Sequence, residues 1–120
     1  MGDLTENFSR REFACTCNCG ADGIDMELVE ALERVRKMIG TPIHITSGVR
    51  CKEHNKSLKN SSPDSSHLKG KAADIHIRDS VQRYKLVMLL GIYFNRVGIG
   101  QDFIHIDLDP NKNKEVMWLY

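Results

Sequence analysis

The stretch Ser65-Ser66-His67-Leu68-Lys69-Gly70-Lys71-Ala72-Ala73-Asp74 constrains this chain more than any other, because it sets a histidine and a carboxylate on either side of a glycine. It lies between a Pro/Ser-rich loop and an alternating apolar run. Six residues separate His67 from Asp74, too many for the two to share a helical face as residues i and i+4 do. Bringing them together requires the backbone to fold back, and Gly70 is the residue that permits it. A turn followed by a strand meets that requirement. A neutral imidazole nitrogen and a carboxylate oxygen make half of a tetrahedral zinc site, and a catalytic zinc typically takes three protein ligands and leaves one position for water. The third ligand must come from another segment.

His105, in Gly98-Ile99-Gly100-Gln101-Asp102-Phe103-Ile104-His105-Ile106-Asp107, is the convincing candidate, since it sits within a short alternating strand pattern. The set Ser65-x-His67-x6-Asp74, the earlier Ser47-Gly48-Val49-Arg50 and the later Asp102-x-x-His105 together resemble the M15 family of zinc D,D-peptidases. The likeness is strongest to its small D-alanyl-D-alanine carboxypeptidase-like and phage endolysin members. It runs from Phe8-Ser9-Arg10-Arg11-Glu12-Phe13 to the last strand. Each motif alone is weak; their order and separations together are specific.

The rest of the chain supplies a scaffold of suitable size. Its 120 residues suit one domain, residues 1–120, with a modest core. Seventeen basic and 16 acidic residues are interspersed, for a formal charge of +1, so no electrostatic footprint points to nucleic acid or an anionic membrane. No apolar run approaches the roughly 20 residues of a membrane span, and Met1 to Glu6 lack the apolar core of a secretory signal. The expectation is a monomer made and kept in the cytoplasm until a separate device releases it to the wall.

Leu28, Val29, Leu32, Val35 and Ile39 recur at helical spacing after Asp25, and Gly40 with Pro42 stops the run. Pro42 to Thr46 alternates as a strand, with His44 facing away from Ile43 and Ile45. Residues 47–66 form a long polar connection, with one or two helical turns at Cys51 to Lys56, that reads as a wall of the cleft. Ala73 to Ile77 reads as a strand in which His76 shares a side with Asp74. Asp79 or Ser80 caps a second helix with a broad apolar surface. Val97–Gly100 and Phe103–Leu108 then form an antiparallel hairpin, and a polar turn leads into Glu115–Tyr120.

The fold expected is α+β: a mainly antiparallel sheet of about four strands, two principal helices packed on it, and a metal cleft on the other side. That is also what the resemblance implies, since the M15 group shares its fold with the Hedgehog signalling domain. The resemblance further implies Zn2+ held by His67, Asp74 and His105, with Asp102 as general base and Arg50 stabilising the developing negative charge. The activity it implies is hydrolysis of a peptidoglycan stem peptide, by terminal D-alanine removal or by cleavage within the stem. Asp107 either fixes the tautomer of a ligating histidine or satisfies sheet backbone. A non-catalytic, zinc-stabilised binding module of the same fold is the alternative. Cys15, Cys17, Cys19 and Cys51 stand open between free thiols, a disulfide, for which Cys51 is one candidate, and a second, structural zinc site.

Overall fold

The computed structural model describes residues 2–59 and 61–120. Its frame is two helices of 14 residues, α2 (Met26–Ile39) and α4 (Ser80–Tyr93), packed against each other and against one sheet. Helix α2 starts where Asp25 accepts a hydrogen bond from the Glu27 amide, and it stops at Gly40, whose φ of 75° gives the left-handed turn that a side chain would resist. Between these caps Leu28, Val29, Leu32 and Val35 are fully buried. Two shorter helices, α1 (Arg10–Phe13) and α3 (Lys52–Ser57), flank the first strand in the chain.

The sheet has five strands in the order β1-β2-β4-β3-β5: β1 Ile45–Ser47, β2 Ala72–His76, β3 Arg96–Ile99, β4 Phe103–Asp107 and β5 Val116–Leu119. All pairs are antiparallel except β3 with β5, which run parallel. The expected sheet of about four strands thus gains a parallel edge strand. Its approach depends on Gly98, where an added Cβ would meet the Trp118 and Tyr120 rings at 2.6–2.7 Å. The proposed strand from Pro42 is shorter than expected and begins at Ile45.

Register decides which residues face which side. Asp74 lies opposite His105, and Ile75 opposite Ile104. Because side chains alternate along a strand, Ala73, Ile75, Ile104 and Ile106 enter the core beneath the helices, while Asp74, His105 and Asp107 emerge together on the opposite face. Helix α4 is less covered than its apolar pattern implies: Leu86 and Leu90 are buried, but Val81, Tyr84, Met88 and Ile92 face solvent. Among the described residues, no helix is long and apolar enough to cross a membrane.

The N-terminal segment is held firmly. Phe8 and Phe13 are buried with ring centroids 5.8 Å apart, and the Phe13 carbonyl accepts from the Val49 amide at 2.7 Å. The buried Glu33 carboxylate accepts from both the amide and the side chain of Asn7, at 2.7 and 2.6 Å. These contacts draw the first residues against the loop that carries Arg50.

Candidate metal centre

The fold-back between His67 and Asp74 is a 3₁₀ turn, Ser66–Lys69, closed by Gly70 at a φ of 69°. A Cβ there would also collide with the Gly23 carbonyl, and the Gly70 carbonyl accepts from Asp25 N–H at 2.8 Å. Glycine at this position is therefore required twice, by conformation and by close approach. Lys71 reinforces the junction through a 2.7 Å ion pair with Asp25. The start of α2 thus supports the turn that presents His67.

His67, Asp74 and His105 converge so that one ligand atom from each lies within 4.8 Å of the others. His67 Nε2 is 3.4 Å and His105 Nδ1 is 2.9 Å from the same Asp74 oxygen. The remaining ring nitrogens have fixed partners. His67 Nδ1 faces the Gly48 carbonyl at 2.7 Å, so it carries the proton and leaves the Nε2 lone pair directed at Asp74. His105 Nε2 lies 2.7 Å from Asp107, whose other oxygen accepts from Arg96 Nε at 2.7 Å. A carboxylate held by a guanidinium accepts rather than donates, so the proton of His105 sits on Nε2 and its Nδ1 lone pair faces Asp74.

Two imidazole lone pairs and a carboxylate therefore point at one place, a donor set suited to a divalent cation, with Asp107 acting behind His105 as metal-site carboxylates commonly do. The same contacts shift the titration of these groups. Burial alone would raise the Asp74 carboxyl, but hydrogen bonds with His105 and His67 outweigh it and hold the group well below the usual carboxylate range. Burial likewise pushes His105 down, and its contacts with Asp107 and Asp74 more than reverse that. Asp107 is lowered despite burial, chiefly by His105.

These groups open onto a cleft of about 550 Å³. Arg50 lines it, with Nη2 3.6 Å from Asp74, and is aimed by Ser47 and Asn55, which accept from Nε and Nη1 at 3.3 and 3.2 Å. Its backbone amide donates to the His67 carbonyl, which locks the arginine loop to the histidine turn. Asp102 is not brought into this cleft. It is exposed in the turn between β3 and β4, where its carbonyl accepts from Ile77 N–H, and it borders a neighbouring depression with Thr46, Asp74, His76 and Phe103. Asp74 and Phe103 are common to both concavities. His76 packs edge-on to His44 at 6.1 Å and stays outside the convergent group.

Several cleft residues escaped the sequence reading. Arg96 pins Asp107 and lies over the Trp118 ring at 5.0 Å; Trp118 in turn sits 5.6 Å from His105, and Tyr120 completes that wall. An arginine at the first position of a strand and aromatics in a last strand carry no signal until strand register is known. Asp109, buried, accepts from the Ser66 hydroxyl at 2.7 Å and from Lys69, tying the end of β4 to the histidine turn.

A second convergent group lies at the N-terminal side. The sulfurs of Cys15, Cys17, Cys19 and Cys51 fall within 4.8 Å of one another, and all four cysteines are free thiols.

Comparison with known proteins agrees with the geometry of the main cleft. No curated protein matches the chain. A family model described as Peptidase M15 matches residues 6–107, a span that contains Arg50, His67, Asp74, Asp102 and His105. On that match, over most of its length, the chain belongs to the peptidase M15 family.

Proposed function

We propose that the protein is a zinc-dependent peptidase that hydrolyses peptidoglycan stem peptides, either removing a terminal D-alanine or cutting within the stem. The observation that carries this reading is the convergence of His67, Asp74 and His105 beside Arg50 in a chain of a peptidase family. Zinc held by the three side chains would supply a Lewis acid and a water acidic enough to react near neutral pH. Asp107 and the Gly48 carbonyl keep both imidazoles in the tautomers that leave their inward nitrogens free. Arg50 offers a guanidinium at the cleft wall, suited to a substrate carboxylate or to negative charge developing on a scissile carbonyl oxygen.

The proton-accepting role falls to Asp102. Around the ligand group Asp107 is occupied by His105 and Arg96, and Asp109 by Ser66 and Lys69, whereas the Asp102 side chain has no hydrogen bond within the described residues. It borders Asp74 from the adjoining depression, which shares Asp74 and Phe103 with the cleft. That placement is also the one observation favouring a binding module without turnover.

The test is to incubate the metal-loaded protein, and its Asp102→Asn variant, with purified peptidoglycan and to follow new free amines and fragment masses. The wild type should release D-alanine or stem-peptide fragments. Asp102→Asn should keep its metal and lose activity by about 100-fold or more, since general acid–base catalysis contributes about 10²–10⁴. Full activity in the variant would move the base elsewhere; equal inactivity of both proteins on every peptidoglycan type would favour the binding module.

A further inference from the structure

The four cysteines come from two separate places, the tight loop at residues 15–19 and the N-cap of α3 at position 51. Sequence spacing of the form Cys-x-Cys-x-Cys would spread three thiols along an extended strand. Here the loop is wound instead: Asn18 adopts a φ of 64° and Gly20 one of 90°, the Cys15 amide donates to the Ala21 carbonyl and the Asn18 amide to the Cys15 carbonyl. The winding draws Cys15 Sγ to 3.4 Å from Cys17 Sγ, and Cys17 Sγ to 3.6 Å from Cys51 Sγ.

Those separations suit a shared ion better than a sulfur–sulfur bond. A disulfide requires about 2.05 Å between sulfurs. Four thiolates around one zinc at about 2.3 Å stand about 3.8 Å apart along each edge of the tetrahedron. The observed spacing lies close to the second value and far from the first. Backbone amides also point at the sulfurs, Cys51 N–H toward Cys15 Sγ at 3.5 Å and His54 N–H toward Cys51 Sγ at 3.3 Å. Such donors stabilise the negative charge a thiolate centre accumulates. Burial is graded, from buried Cys15 through Cys51 to exposed Cys17 and Cys19, so the group spans from the interior to the surface at this junction.

We infer that Cys15, Cys17, Cys19 and Cys51 bind one zinc ion as a closed, structural tetrathiolate site, separate from the His67, Asp74 and His105 centre. Soft thiolates in a four-sulfur set select zinc or iron over calcium and magnesium. The site clamps the N-terminal loop to the residue directly after Arg50. Two neighbouring contacts follow the same seam, the Thr16 hydroxyl with His54 Nε2 at 3.1 Å and Val49 N–H to the Phe13 carbonyl.

Metal stoichiometry by elemental analysis tests this. Wild-type protein should hold two zinc ions per chain; Cys17→Ser and Cys51→Ser should each hold one, as should His105→Ala. Serine suits both positions, since Cys17 is exposed and Cys51 caps α3, a place where a hydroxyl serves well. One zinc in the wild type, lost in His105→Ala and kept in Cys17→Ser, overturns the thiolate site and leaves the hydrolytic centre standing. The reverse pattern sustains the thiolate site and removes the hydrolytic one. Iron in place of zinc at unchanged cysteine dependence corrects the ion and keeps the site. A measurement on the wild type guards against a variant that misfolds: in metal-replete protein the exposed Cys17 and Cys19 should resist a thiol reagent, and titration with a mercurial should release one zinc as four thiols are consumed. Immediate reaction of Cys17 and Cys19 with zinc still bound overturns the proposal.

Discussion

Asp107 decides which nitrogen of His105 is free, although it touches the ligand group only through that ring. Asp107→Asn keeps the size but loses the charge that pairs with Arg96, so the imidazole is no longer held in one tautomer. Metal affinity at the centre should fall by about 10–100-fold, measured by competition with a chelating indicator; wild-type affinity would reduce Asp107 to a satisfier of sheet backbone. Arg50 makes the opposite prediction. It reaches Asp74 only at 3.6 Å and is oriented by Ser47 and Asn55, so Arg50→Ala should bind metal as the wild type does. Its kcat/KM on stem peptide should drop on the order of 100-fold, the cost typical of removing one donor to developing negative charge. At this scale the sequence was informative for residues whose chemistry is unusual in their local pattern. His67, Asp74 and His105 interrupt apolar alternation or a glycine turn, which makes them visible. Arg96 looks like any surface arginine, and only the pairing of β3 with β4 brings it to Asp107.

Among the elements, both 14-residue helices were legible because capping residues and apolar periodicity agree, Asp25 and Gly40 for α2 and Asp79 for α4. The parallel attachment of β5 was not. A strand's hydrophobic alternation says which face is buried, but it does not name the neighbour or the direction of pairing. The link between β4 and the 3₁₀ turn makes a pH prediction. Burial opposes ionisation of Asp109, yet Ser66 and Lys69 outweigh it and bring its pKa down to about 2. Because the folded value lies below the ordinary carboxylate value of about 3.9, the stabilisation is complete above roughly pH 5 and is lost as pH falls toward 2. Asp109→Asn should thus be less stable than wild type near neutrality by on the order of 1–2 kcal/mol, the smaller end reflecting the solvent around Lys69. The difference in Tm between the two proteins should shrink between about pH 4 and pH 2. A gap that stays constant across that range would show that Asp109 acts by shape alone.

Across the whole molecule, the helices and sheet bury one face and leave the other to carry chemistry, and the chain crosses between the two several times. The cleft is consequently a composite: the histidine turn, the middle of β2 and β4, the arginine loop and the end of β5 each supply part of it. Trp118 belongs to the part that contacts no ligand atom of Asp74 or His67 but packs beside His105 and under Arg96. Trp118→Ala should retain the metal and weaken stem-peptide affinity about tenfold, seen as a higher KM with a smaller change in kcat, given the contact area an aromatic ring offers. Loss of metal instead would make the indole a support for His105.

The position of β5 has a further consequence. The match to the family ends at Asp107, while Trp118 and Tyr120 reach the cleft from beyond it, seated over Gly98 on the outer edge of the sheet. The convergent His67, Asp74 and His105 group and the aromatic wall beside it therefore occupy different stretches of the polypeptide. Such a chain is modular in the way a handle with exchangeable blades is modular. Replacement of Trp118 and Tyr120 alone, with Gly98 retained as their seat, is the direct route to a reshaped cleft wall, because Asp109 then keeps its hold on the histidine turn.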